Sequence, residues 1–292
     1  MTDWPVITER IQNVVAHPVQ AGTVRSLSGG CISSAYVLGD GEHPFFVKIG
    51  VADNLDMFEA EAEGLEELGK ANCISVPKPV CSGIAGNDSF LVMEYLALGG
   101  DGSPAQLGEQ LAAMHQVHAQ SFGWHRDNTI GSTPQINQRE DDWVNFWCQH
   151  RLGFQLNLAR QEGAGERLQQ QGKTLSERLP WLFSDYQPAP SLLHGDLWSG
   201  NYGYMGDGRP VIFDPAVYFG DRETDLAMTE LFGGFPPEFY SAYQAAYPLD
   251  AGYAVRKTLY QLYHILNHYN LFGGGYLAQA ESMIGRLLSE LN

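Results

Sequence analysis

The sequence predicts an α+β protein of two lobes, a small strand-rich lobe followed by a larger helical one. Three observations predict it. Residues 1–98 carry short apolar and β-branched runs separated by Gly-rich turns, with one amphipathic helix among them. Residues 99–104, Gly-Gly-Asp-Gly-Ser-Pro, break every regular pattern. Beyond them apolar residues return at three- and four-residue spacing through most of the chain. The expected organisation is therefore a first lobe over 1–98, a linker over 99–104 and a second lobe over 105–292.

Residues 23–27, 34–38 and 44–49 read as strands, since each is dominated by residues that suit a pleated surface and is bounded by turn residues. Asp53 and Asn54 then open a helix in which Phe58, Glu61, Ala62, Leu65 and Leu68 share one face. Residues 89–96 form a continuous apolar strand. In the second lobe, helices are expected over 105–118, 142–161, 165–179, 236–247, 254–271 and 277–291. Among them, 201–205 and 209–213 flank Gly206-Asp207-Gly208 and read as a hairpin.

A chain of 292 residues with 44% hydrophobic content can bury a sizeable core. Its 17 Lys+Arg stand against 34 Asp+Glu, a net charge of -17, which disfavours nucleic acid and anionic membranes and favours a cationic small substrate. Cys31, Cys73, Cys81 and Cys148 form neither a C-x-x-C pair nor a zinc pattern, and read as free thiols of a reducing cytosol. No cationic leader followed by an apolar run opens the chain, and no window approaches the roughly 20 apolar residues that span a membrane. A soluble, cytoplasmic protein is expected, its oligomeric state left open.

The most informative stretch is His194-Gly195-Asp196-Leu197-Trp198-Ser199-Gly200-Asn201, followed beyond the hairpin by Asp214-Pro215-Ala216. A carboxylate, an amide five residues later and a second carboxylate are the acidic parts of a phosphoryl-transfer site that works with Mg²⁺. The hairpin sets its two ends side by side, so Asn201 and Asp214 can share hard, oxygen-seeking metal ions. Asp196 is then left to orient an attacking hydroxyl and accept its proton. The spacing matches the H-R-D-L-x-x-x-N and D-F-G motifs of kinases, with Gly195 in place of the arginine and Asp214-Pro215-Ala216 in place of D-F-G. Taken singly, each residue also fits a turn cap.

Together with the lobe pattern, these motifs resemble the protein-kinase-like architecture, and within it the fructosamine kinase (ketosamine 3-kinase) family. The narrowing residues are Trp198, Phe213-Asp214-Pro215-Ala216, the run Gly220-Asp221-Arg222-Glu223-Thr224-Asp225-Leu226-Ala227-Met228, Leu259-Tyr260-Gln261-Leu262-Tyr263 and Asn270-Leu271-Phe272-Gly273-Gly274. The resemblance implies ATP and Mg²⁺ as cofactors. Lys48, ending an apolar strand, would contact the α- and β-phosphates and pair with Glu61. Gly29 and Gly30 would allow close backbone approach to phosphate, with Ser33 and Ser34 adding hydroxyl donors, and the main chain of Glu94 and Leu96 would meet adenine.

The implied acceptor is the C3 hydroxyl of a ketoamine, small-molecule or protein-linked, formed when a sugar condenses with an amine such as a lysine side chain, and the implied outcome is deglycation of that amine. Trp198 would support the sugar, and Asp221 would lie open to the substrate amine. Asp225 would brace the loop, while His115 and His118 would be core residues. Asn267 and His268 are further candidates for the acceptor pocket, and Cys31 for a reactive thiol. The alternatives are phosphorylation of another hydroxylated amine, such as an aminoglycoside, and a pseudokinase that binds nucleotide without transfer.

Overall fold

The computed structural model describes residues 2–16, 19, 23–27, 33–39 and 43–291. It divides into two compact units, residues 1–103 with 202–215, and residues 104–201 with 216–292.

The first unit is built on a five-stranded antiparallel sheet of β1 (Val24–Leu27), β2 (Ser34–Leu38), β3 (Phe45–Val51), β4 (Pro79–Ala85) and β5 (Asp88–Glu94), in the order β1-β2-β3-β5-β4. Two helices cover its faces. Helix α1 (Trp4–Gln12) sets Ile7 and Ile11 against Val47, Ile49, Phe90 and Val92. Helix α2 (Leu55–Ala71) sets Phe58 and Leu65 against Leu91 and Met93. Strand β5 therefore buries both faces, which is why it reads as an unbroken apolar run. Strand β4 escaped the sequence pattern because it begins at Pro79 and carries an irregular register between Pro79 and Cys81. Both are tolerated because it is an edge strand.

The hairpin of β9 (Tyr202–Tyr204) and β10 (Pro210–Ile212), assigned to the helical lobe by the sequence, belongs to the first unit. Backbone hydrogen bonds carry it there. The Ile212 amide donates to the Ser75 carbonyl at 3.0 Å, and the amides of Gly99 and Gly100 both donate to the Tyr204 carbonyl, at 3.1 and 3.2 Å. A Cβ on Gly100 would stand 2.0 Å from the Met205 oxygen, so the glycines of the break let the hairpin lie against it.

The second unit is mainly helical: α3 (Pro104–His115), α4 (Trp143–Phe146), α5 (Gly153–Gln161), α6 (Glu166–Arg178), α7 (Glu223–Leu231), α8 (Pro237–Ala246), α9 (Tyr253–Phe272) and α10 (Tyr276–Glu290). Two short strand pairs accompany them, β6 (Asn128–Ile130) with β7 (Thr133–Gln135), and β8 (Ser191–Leu193) with β11 (Tyr218–Gly220). Helix α9 packs on α5, α7 and α10, and α3 packs on α8. The expected helix over 142–161 runs as α4 and α5 joined by a π-helical segment, Trp147–Leu152. No described helix is long and apolar enough to cross a membrane, and the three described cysteines, Cys73, Cys81 and Cys148, are free.

Candidate active site

Alternation along β3 decides where Lys48 points. Val47 and Ile49 face α1, so Lys48 between them faces α2, where Glu61 shares the Phe58 and Leu65 face. Lys48 Nζ lies 2.6 Å from Glu61 Oε1 and 2.7 Å from Asp214 Oδ1. Burial by itself would lower the ammonium, but the two carboxylates outweigh it and raise the Lys48 pKa. The partner expected for Lys48 is in place, and Asp214 joins it. Asp214 has φ +56, one of two non-glycine residues with positive φ among those described. A left-handed non-glycine costs on the order of 1 kcal/mol and persists where the surroundings demand it. The side chain stays half-exposed beside the buried ammonium.

The loop after β8 is tied down residue by residue. Asp225, on the first turn of α7, accepts the His194 amide at 2.7 Å through Oδ2 and the Gly195 amide at 2.8 Å through Oδ1. His115 Nε2 lies 3.1 Å from the same Oδ2. Burial would raise the Asp225 carboxyl, yet the hydrogen bond from His115, its neighbouring histidines and the Gly195 amide hold it below its ordinary value. Gly195 has φ +84, and a Cβ there would stand 2.0 Å from the Ala216 oxygen. This close approach explains why glycine replaces the arginine of the kinase motif. The Ala216 amide in turn donates to the His194 carbonyl at 2.8 Å. Asn201 closes the loop, its Nδ2 donating to the Asp196 carbonyl at 2.9 Å. Leu197 is buried while Asp196 before it is half-buried.

Trp198 is 37% exposed, lies across Gly200 and meets Phe232 edge-on at 6.4 Å between ring centroids. Phe232 continues to His268 at 4.9 Å. His268 thus shares an aromatic surface with Trp198. Asn267 does not. It is buried, donating to the Ile130 carbonyl and accepting from Gln155, a packing role.

Asp221 requires correction. Expected open to a substrate amine, it is buried, and its carboxylate is occupied by the Tyr186 and Tyr260 hydroxyls and the Glu223 amide. A carboxylate filled by three donors and closed to solvent cannot take a substrate amine. The Glu94 amide donates to the Lys78 carbonyl at 2.8 Å. Ser33 and Ser34 stand at the entry to β2, and Leu96 is half-buried after β5. Gly29, Gly30 and Cys31 lie outside the described residues.

Sequence reasoning missed the residues that hold the loop from behind. Asn128 Nδ2 donates to the Val217 carbonyl and Gln135 Nε2 to the Ala216 carbonyl, latching the segment after Asp214-Pro215 onto the β6–β7 hairpin. Nothing in the sequence marks these amides, because their partners are backbone atoms about 80 to 90 positions away.

The sheet-and-helix unit with its Lys48–Glu61 pair and the helical unit with its braced loop together define a protein of the kinase-like fold. The fold is shared with an aminoglycoside phosphotransferase solved as a ternary complex with AMP-PNP and hygromycin B. That match is 14% identical, at TM-score 0.65, and covers 92% of this chain and 94% of that one. The chain belongs to the fructosamine kinase family, whose pattern it matches over residues 3–290. A crystal structure of a candidate fructosamine-3-kinase from Haemophilus somnus is similar at TM-score 0.89, with 30% identity and 98% of each chain covered. A probable ketoamine kinase of Synechocystis is 47% identical over 98% of this chain and 97% of its own. A chloroplastic protein-ribulosamine 3-kinase of Arabidopsis thaliana is 44% identical over 93% of this chain and 84% of its own.

Proposed function

We propose that the protein is an ATP-dependent ketosamine 3-kinase, which transfers the γ-phosphoryl group of ATP to the C3 hydroxyl of a ketoamine. The observation that carries the reading is that the full set Lys48, Glu61, Asp196, Asn201 and Asp214 is present in a chain matched along nearly its whole length by proteins named for this activity. In the transfer, the C3 oxygen forms a bond to phosphorus as the bond to the ADP oxygen breaks. The hydroxyl proton passes to the Asp196 carboxylate and from there to solvent. A phosphate on C3 is a good leaving group beside the ketoamine carbonyl: loss of a C1 proton and of phosphate leaves an unsaturated imine, which water hydrolyses to release the amine.

Lys48 is held charged by two carboxylates and meets the ATP phosphates. Glu61 keeps it aimed. The donors suit Mg²⁺, since Asp214 offers carboxylate oxygens and Asn201 an amide oxygen, both hard ligands. Among the described residues no cluster of three or more His, Cys, Asp or Glu forms an all-protein metal cage. Mg²⁺ in nucleotide sites is held by one or two protein oxygens plus phosphates and water. When bound, the ion would neutralise charge on the phosphates. Trp198 offers a flat face for the sugar, and the free described cysteines fit a reducing, cytoplasmic setting.

The test is an acceptor panel with labelled ATP, comprising ribulosamines, erythrulosamines, fructosamines and aminoglycosides. Ribulosamine is the first to try, given the name of the plant relative. Transfer to ketoamines supports the reading. Transfer to aminoglycosides alone, or nucleotide binding without any transfer, would overturn it.

A further inference from the structure

Behind Asp225 runs a buried chain of polar groups whose proton order the geometry determines. Arg222 carries only donors. Its Nη1 lies 3.1 Å from the Tyr243 hydroxyl oxygen, which therefore accepts. The hydroxyl proton is then directed at His115 Nδ1, 2.8 Å away. An Nδ1 that accepts leaves the ring proton on Nε2, the nitrogen facing Asp225 Oδ2 at 3.1 Å. With the other tautomer, a lone pair would face the carboxylate, and Nδ1–H would compete with Arg222 for one oxygen. Arg222 itself is fixed by the Tyr247 and Pro248 carbonyls and by stacking 3.6 Å over the Tyr247 ring. All four residues of the chain are buried.

We infer that Arg222 and Tyr243 are positioning residues for phosphoryl transfer: they fix His115 as the Nε2–H tautomer, so that Asp225 holds the backbone of His194 and Gly195, and with it Asp196, in one place. The inference rests on the reading of Asp196 as the group that meets the acceptor hydroxyl. Asp225 has three donors to satisfy its two oxygens, and only the one from His115 comes from a group with a choice of proton placement. A carboxylate that loses that donor is free to turn, and a loop shifted by even about 1 Å costs roughly 100-fold in rate.

The test has a spectroscopic arm and a kinetic arm. Long-range ¹⁵N–¹H spectra of the histidine-labelled wild-type protein at neutral pH should show His115 with its proton on Nε2. A proton on Nδ1 would overturn the inference without any kinetics. Tyr243→Phe should blur that single tautomer and lower kcat on the order of 10- to 100-fold, with KM for ATP within about twofold. His115→Gln, which keeps an N–H for Asp225, should retain more turnover than His115→Leu. A Tyr243→Phe variant that loses thermal stability but keeps wild-type kcat would overturn the positioning role and leave a packing one. Failure of the wild-type protein to phosphorylate any acceptor would overturn the reading of Asp196, and the inference with it. Wild-type turnover with an unaffected variant would overturn the inference alone.

Discussion

Lys48 and Asp214, 166 positions apart in the chain, form a 2.7 Å ion pair. The pair forms because the β9–β10 hairpin, which ends two residues before Asp214, docks on the sheet unit through Ser75, Gly99 and Gly100. Glu61 completes the group from the other side at 2.6 Å. A buried ammonium between two carboxylates is a costly arrangement to break from either end, since what remains is an uncompensated buried charge.

Lys48→Met should therefore lower stability by about 3–5 kcal/mol, mainly through the stranded Glu61 carboxylate. Adding Glu61→Leu should restore part of the loss, because it removes the stranded charge. Chemical denaturation of the two variants checks this. A double variant less stable than Lys48→Met would contradict it, and neither variant should retain normal ATP affinity.

The Lys48–Glu61 half of this group was legible in the sequence and the Asp214 link was not. A lone lysine ending an apolar strand and a glutamate three residues after Phe58 and four before Leu65 announce themselves through local periodicity, which also gave β1, β2, β3, β5 and the long helices. The docking of the hairpin depends on backbone hydrogen bonds, donated by Gly99 and Gly100 and accepted by Ser75, and backbone partners leave little mark on residue identity. For Asp221 the limit is separation along the chain. Its position in the Gly220–Met228 run suggested a substrate contact, but the hydroxyls that fill it come from Tyr186 and Tyr260, 35 and 39 positions away.

Gly195→Ala should be far more damaging than its size suggests. The new Cβ would meet the Ala216 oxygen at 2.0 Å, from a backbone at φ +84 that alanine disfavours. We expect turnover to be nearly lost and the melting temperature lowered, with the shift confined to the second unit in hydrogen exchange. Normal turnover in this variant would mean that the loop has room that the structure does not give it.

Asp225 predicts an acid limb. Its carboxyl is held below the ordinary value of 3.8 in the fold, so the unfolded chain takes up the proton first as pH falls. The stabilisation is fully present above that ordinary value and is lost as pH drops through the folded one. Asp225→Asn should be less stable than wild type at neutral pH, where its amide opposes the His194 and Gly195 donors, and should show a shallower loss of melting temperature in acid. Parallel acid slopes for the two proteins would count against the assignment.

Asp214 and Asp196 should separate in binding experiments. Asp214→Ala removes the proposed Mg²⁺ ligand and one of the two partners of Lys48, so Mg-ATP binding should weaken greatly and transfer should stop. Asp196→Asn keeps the loop contacts made through the Asp196 backbone, so nucleotide affinity should hold while turnover falls roughly 10²–10⁴-fold. Calorimetric titration with a non-hydrolysable ATP analogue distinguishes them. Equal loss of affinity in both variants would contradict the division of labour.

Trp198 tests the acceptor side. Its ring is 37% exposed, packs edge-on against Phe232 and covers Gly200, so it has a free face as well as a packed one. Trp198→Ala should cost less stability than the roughly 3–5 kcal/mol of a fully buried tryptophan. If the exposed face supports the sugar, the variant should raise KM for the ketoamine about tenfold and lower kcat, because a misplaced C3 hydroxyl loses its in-line approach. KM for ATP should barely move. Trp198→Phe, which keeps a flat ring but loses the indole N–H, should fall between the two, and its distance from wild type measures what the N–H contributes. A folded Trp198→Ala protein with unchanged ketoamine kinetics would sink the platform role, and a variant defective only in melting temperature would assign Trp198 to packing the loop against Phe232.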